Sequence, residues 1–206
     1  MTASGVRTTL ENGVVSVELD ALYERAVAGW TAQLTHVDAG QWDRPTTCSD
    51  WTVRDLVNHV TGEDLWAVPL VEGSTIEDVG DRFDGDVLGD DPVTTSRDAA
   101  SAAVRAVAAR LPEGGTVHLS YGEEQVEEYV RQLVADHLVH GWDLAVSIGA
   151  SPRLDPEVVA EVAPWFAERE ELYASVGAVG PRTGTHDDPQ DDLIAGFGRD
   201  PGWRPA

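Results

Sequence analysis

Lysine is absent from this sequence, and basic residues of any kind are few. All 14 basic residues are arginines, against 37 acidic residues, which gives a formal net charge of -23. Proteins that bind nucleic acid need a basic surface for the phosphates, and anionic membrane surfaces attract basic patches too. The charge therefore argues against both partners and favours a soluble protein.

Cysteine is almost absent as well. Cys48 is the single cysteine, so an intrachain disulfide and a zinc site built from several cysteines are both excluded. The first 13 residues lack the apolar stretch of a signal peptide, and no run approaches the roughly 18 apolar residues of a membrane span. These absences predict a cytoplasmic protein.

Apolar residues at three- and four-residue steps predict four long helices. Their expected ranges are 17–37, 51–70, 95–111 and 123–148, with Ser49 or Asp50 capping the second and Gly149 ending the fourth. An acidic loop at 72–93 separates the second helix from the third, and 116–120 alternates like a short extended segment. No convincing set of strands is visible.

The termini differ from this helical centre. Residues 1–16 are expected to form a flexible arm, and 17–206 to form one domain. A fifth helical pattern at 156–175 contains Pro164, and a loop-rich tail with one helical turn near Leu193 follows it. The predicted fold class is all-α: a four-helix bundle with an additional C-terminal helix and a loop-rich tail.

The segment ADHLVHGWDLA on the fourth predicted helix carries a candidate metal site. Asp136 and His140 are four residues apart, so both face the same side of the helix. His59 on the second predicted helix can complete three ligands from across the bundle. Two imidazoles and a carboxylate suit Zn²⁺ first, with Ni²⁺, Fe²⁺ or Mn²⁺ as alternatives, and leave positions open for chemistry. The structural alternative is an Asp–His pair beside an unrelated histidine.

Two neighbours add alternatives to this site. Glu63 lies one helical turn after His59, which makes it a reserve ligand, a proton carrier beside the metal, or a solvated helix carboxylate. His137 follows Asp136 directly and points about 100° away around the helix. It is therefore expected to face outward or to support the ligands, and not to bind the ion.

The sequence resembles the DinB-like superfamily over roughly residues 17–200. The segments that carry the resemblance are SDWTVRDLVNHVTGEDLW, GDRFDGDVLGDDP, ADHLVHGWDLA and GFGRDPGW. The first and third are similar to the N-terminal domain of mycothiol-dependent maleylpyruvate isomerases, and all four are similar to related actinobacterial metal-binding proteins. The resemblance implies a four-helix bundle with one metal, often zinc, held by His59, Asp136 and His140. The isomerase pattern has Glu where this chain has Asp136.

The resemblance also implies a reaction. The metal would bind the thiol of mycothiol or a similar small cofactor for S-transfer to, or isomerisation of, a small electrophilic substrate. Glu63 would carry a proton, and Arg82 or Arg54 would pair with a carboxylate. Two alternatives remain open: hydrolysis by metal-bound water, and a non-catalytic metal-binding or stress-response protein. Homodimerisation is compatible with such bundles.

Overall fold

Four long helices form the core of the structure, a computed structural model that describes residues 8–11 and 14–205. They are α1 (Leu19–Leu34), α2 (Val53–Val71), α4 (Pro92–Arg110) and α5 (Val126–Ile148), with the short α3 (Ile76–Val79) inside the acidic loop. Helix α1 packs mainly on α5 and α2 mainly on α4, whereas α2 and α5 share a smaller contact. The all-α, DinB-like bundle predicted from sequence is confirmed.

Helix α2 begins later than predicted because its cap is Thr52 and not Ser49 or Asp50. The Thr52 hydroxyl accepts a hydrogen bond from the amide of Asp55, and the Asp55 carboxylate accepts one from the amide of Thr52. This reciprocal capping box satisfies two amides that the first turn would otherwise leave free. Residues 48–51 therefore form a loop before α2, and this loop contains Cys48 and Trp51.

Two short hairpins contradict the expectation that the chain has no strand set. Strands β1 (Thr8–Glu11) and β2 (Val14–Val17) pair antiparallel, as do β3 (Thr116–Leu119) and β4 (Gly122–Gln125). Strand β3 matches the predicted extended segment, but β4 takes the first residues of the predicted fourth helix. Gly122 adopts φ +134°, which only glycine tolerates easily, so the chain turns back there and α5 starts at Val126.

Every residue of the predicted N-terminal arm either belongs to the β1–β2 hairpin or lies outside the described residues. Residues 1–7, 12 and 13 belong to the second group. The flexibility of the arm, and the single-domain boundary after it, stay predictions. Within residues 8–11 and 14–205, no helix is long and apolar enough to cross a membrane.

The predicted fifth helix is two helices, α6 (Pro156–Ala167) and α7 (Glu170–Ser175). The break falls at residues 168–169, and Arg169 there binds Glu128 of α5, with Nε 2.6 Å from Oε1. Helix α8 (Pro189–Gly196) follows, and its C-terminal Phe197 stacks on Phe166 with ring centroids 3.8 Å apart. The tail is therefore packed against the bundle, and Gly149 ends α5 as predicted, with φ +78°.

Candidate metal centre

His59 of α2 and the pair Asp136 and His140 of α5 meet at the seam between the two helices. The Nε2 atoms of His140 and His59 lie 3.3 Å and 3.8 Å from Oδ1 of Asp136. One donor atom from each of the three residues lies within 4.8 Å of the other two. His140 is buried, whereas His59 and Asp136 are partly exposed. The three donor groups are therefore shielded from solvent at His140 and accessible to solvent at His59 and Asp136.

The chemistry of these three residues fits a divalent cation. Oδ2 of Asp136 is buried and makes no hydrogen bond within the described part of the chain, so it has lone pairs to spare. Burial raises the pKa of Asp136, but His140 and His59 lower it further, to well below its usual range. A carboxylate that stays ionised between two imidazoles is a suitable oxygen ligand for Zn²⁺ and related metals.

The other ring nitrogen of His140, Nδ1, contacts the carboxylate of Asp143. Its Nδ1 lies 2.8 Å from Oδ2 of Asp143, which is fully buried. A carboxylate at Nδ1 keeps the proton on that nitrogen and leaves the lone pair of the neutral ring on Nε2, which faces Asp136. Burial lowers the pKa of His140, but Asp136 and Asp143 raise it well above its ordinary value.

Asp143 in turn is fixed by Arg199, which follows α8. Nη2 and Nε of Arg199 donate to Oδ2 and Oδ1 of Asp143 over 3.1 Å and 3.3 Å, and the hydroxyl of Thr47 also donates to Oδ1. Burial raises the pKa of Asp143, but His140 and Arg199 bring it down to about 2. Cys48 touches the same group, with Sγ 3.5 Å from Nη2 of Arg199 and 3.7 Å from Oδ2 of Asp143.

Trp51 forms an aromatic wall beside the histidines. Its ring centroid lies 4.9 Å from that of His59 and 6.3 Å from that of His140. The two imidazoles themselves meet edge to face, with centroids 5.1 Å apart. Apolar walls of this kind restrict both the ring orientations and the access of water.

Glu63 lies one turn after His59, beside the three candidate ligands. Burial, and then the negative charge of Asp136, raise the pKa of Glu63 above its ordinary value. Its carboxyl group therefore keeps its proton to a higher pH than that of a free glutamate. This is the environment of a proton carrier, although the use of Glu63 as a ligand stays open.

His137 does not face outward, in contrast to one of its two predicted positions. It is fully buried, with Nδ1 2.9 Å from the carbonyl of Leu133 and Nε2 3.2 Å from Oδ1 of Asp64. Asp64 is also buried and accepts a hydrogen bond from Tyr23 over 3.2 Å. His137 thus belongs to a polar cluster inside the bundle, with Asp64 and Tyr23.

The two arginines proposed as carboxylate binders lie on α2 and in the acidic loop. Arg82 is exposed, its guanidinium lies 5.7 Å from the ring centroid of Phe83, and it forms no ion pair among the described residues. Its role in the site stays a prediction. Arg54 binds Asp86 at 2.8 Å, so it anchors the acidic loop to α2.

Asp143 and Arg199 are the site residues that the sequence did not reveal. Asp143 stands three residues after His140, a spacing at which helical side chains meet, so its contact could have been anticipated. Arg199 is 56 residues further along the chain. Only the packing of α8 brings it to the site, and no local pattern signals that.

Comparison with known proteins identifies a family for this chain. The family described as "mycothiol maleylpyruvate isomerase N-terminal domain" matches residues 23–145, which include all three candidate ligands. Uncharacterized proteins from two strains of Mycobacterium tuberculosis, MT0763 and Rv0738, are each 32% identical over 164 residues, or 78% of this chain and 79% of theirs. No solved structure matches the chain significantly. The chain belongs to the mycothiol maleylpyruvate isomerase N-terminal domain family.

Proposed function

We propose that this protein binds one divalent cation between His59, Asp136 and His140 and uses it for thiol-dependent transfer or isomerisation of a small electrophilic substrate. The observation that carries the proposal is the convergence of three donor atoms within 4.8 Å of one another, with a carboxylate between two imidazoles. Membership of the mycothiol isomerase family supports a small thiol as the co-substrate. Zn²⁺ is the expected cation, because it accepts this donor set and does not change oxidation state.

The partly exposed side of the site is where a thiol and a substrate would enter. A divalent cation held there supplies the positive charge that lowers the pKa of a thiol and keeps it as the nucleophilic thiolate. Asp143 fixes the His140 ring, so that Nε2 keeps its direction. Trp51 covers one flank and limits the access of water to His59.

Glu63, one helical turn after His59, is the residue proposed for the remaining proton transfer. When a thiolate forms a C–S bond to an alkene, the electron pair of the double bond moves to the adjacent carbon. Glu63, whose pKa is raised, would protonate that carbon to complete a transfer. In an isomerisation, rotation about the former double bond is followed by cleavage of the same C–S bond, which restores the alkene and the thiolate.

Elemental mass spectrometry of untagged protein supplied with Zn²⁺ tests the cation site. About one ion per chain is expected in the wild type, with loss in His59→Ala and in His140→Ala. His36→Ala, at an exposed position, is the matched control and should keep the ion. A wild-type chain without bound ion after Zn²⁺ is supplied would refute the site and the reaction together.

Mycothiol added to the Co²⁺-loaded protein tests the thiol half of the proposal. Coordination of the thiol predicts a new sulfur-to-cobalt charge-transfer band, which should be absent when thiol-free buffer is added instead. An unchanged spectrum would refute thiol-dependent chemistry and leave hydrolysis or simple cation binding as the function of the site.

A further inference from the structure

A second set of metal-type donors overlaps the first. Cys48, His140 and Asp143 also offer donor atoms that all lie within 4.8 Å of one another. The two sets share His140 but use different nitrogens. Nε2 faces Asp136 at 3.3 Å, and Nδ1 faces Asp143 at 2.8 Å. One imidazole thus stands between two places where a cation could bind.

Arg199 already supplies a positive charge to the second set. Its Nη2 lies 3.1 Å from Oδ2 of Asp143 and 3.5 Å from Sγ of Cys48, and its Nη1 donates to the carbonyl of Phe197 at 2.8 Å. The guanidinium is permanently charged and largely buried, with 17% of the side chain exposed. A metal ion bound by Cys48 and Asp143 would have to displace it or accept strong repulsion at low dielectric.

We propose that Arg199 determines where the cation binds: it occupies the Cys48–Asp143 side of His140, holds Asp143 on Nδ1, and directs the metal to Nε2, His59 and Asp136. This inference rests on the proposed cation site. Arg199 is a positioning residue here, since it acts through Asp143 and His140 and does not touch the cation. It also keeps Cys48 out of the coordination sphere, so that sulfur reaches the metal only from an added thiol.

Co²⁺ spectroscopy in thiol-free buffer distinguishes the two donor sets, because a bound thiolate gives an intense near-ultraviolet charge-transfer band. The wild type should bind Co²⁺ without this band. Arg199→Gln should show it, and the band should vanish in the double variant Arg199→Gln with Cys48→Ser. A folded Arg199→Gln protein with the wild-type spectrum at saturating Co²⁺ would overturn the inference. The circular dichroism of each variant establishes that it is folded.

Alkylation of Cys48 in the wild type gives an independent measurement that needs no variant. Because Cys48 is not a ligand in this proposal, saturating Co²⁺ should change its alkylation rate by less than about twofold. Strong protection by Co²⁺ would show that Cys48 binds the ion and would overturn the inference, while leaving cation binding itself intact. A wild type that binds no Co²⁺ would overturn the proposed function and this inference together.

Discussion

The carboxylate of Asp143 lies 2.8 Å from Nδ1 of His140, while Asp136 faces the other nitrogen of the same ring at 3.3 Å. His140 is therefore oriented by two carboxylates, one of them fully buried and paired with Arg199. A buried carboxylate behind a histidine fixes both the tautomer and the direction of the free nitrogen. This relationship connects the stability of the bundle with the affinity of the proposed metal site.

Asp143→Asn should lower the free energy of unfolding of the metal-free protein by roughly 2 kcal/mol at neutral pH. The folded pKa of Asp143, about 2, lies below the ordinary 3.8, so its stabilisation is fully present above about pH 4. It is lost as the pH falls through the folded value. Urea unfolding at a series of pH values should therefore show the two proteins converging between about pH 4 and pH 2. Asp98→Asn, at an exposed position of α4, is the control, and a pH-independent difference would contradict the linkage.

The same variant should weaken cation binding by roughly 10- to 100-fold, the usual effect of removing a carboxylate behind a metal-binding histidine. Competition with a coloured chelator for Zn²⁺ measures this dissociation constant. An unchanged constant would mean that the Asp143 contact is not used to orient His140.

Cation affinity should rise with pH. Burial lowers the pKa of His140, but Asp136 and Asp143 raise it well above its ordinary value, so the metal-free protein keeps a proton there to a higher pH than a free histidine would. A cation must displace that proton from Nε2, and the affinity should increase up to about tenfold for each pH unit. Calorimetric titration with Zn²⁺ in two buffers of different ionisation enthalpy should show about one proton released per ion. An affinity that is constant from about pH 6 to pH 8 would argue against His140 as a ligand.

Glu63→Gln separates the two roles left open for this residue. If Glu63 carries a proton, the variant keeps about one ion per chain, and turnover of maleylpyruvate with mycothiol, used as the probe pair, falls by about 100-fold or more. If Glu63 is a ligand, the ion content itself falls. Glu72→Gln, at the exposed end of α2, should change neither quantity.

Gly198→Ala should destabilise the tail that positions Arg199. Gly198 has φ +79°, and an added Cβ would lie 2.7 Å from Cα of Gly180. The backbone conformation alone costs roughly 1–3 kcal/mol for a residue with a side chain. Thermal unfolding should show the loss, whereas Gly40→Ala, where an added Cβ meets nothing within 4 Å, should leave stability nearly unchanged. An unaltered melting temperature in Gly198→Ala would mean that this contact does not hold the tail.

Helix spacing was informative about the site wherever partners lie on one helix. Asp136 and His140 face the same side of α5 because they are four residues apart, and Glu63 follows His59 by the same rule. That His59 meets them across the bundle was inferred from the ways bundles build sites and from the family resemblance. The structure brings these residues together, but their role as ligands stays a prediction.

Local patterns were less reliable at the ends of elements. Thr52 caps α2 in place of the predicted caps Ser49 and Asp50. The pairing of β3 with β4 takes the first residues of the predicted fourth helix. In both places a specific hydrogen-bond pattern decided between two locally acceptable conformations. Of the two positions expected for His137, the outward one is wrong, because its Nδ1 lies 2.9 Å from the carbonyl of Leu133 and its Nε2 lies 3.2 Å from buried Asp64.

The sequence by itself determined the fold class, the acidic character, and the His59, Asp136 and His140 candidates, because helix periodicity and charge are local properties of the chain. Only the tertiary structure decided which nitrogen of His140 faces Asp136, and which charged residues, Asp143 and through it Arg199, lie at the other nitrogen. That arrangement depends on Arg199, which reaches Asp143 only when α8 packs on the bundle. A contact between residues 56 positions apart is fixed by the burial of apolar surface around it, and such burial exists only in the folded chain.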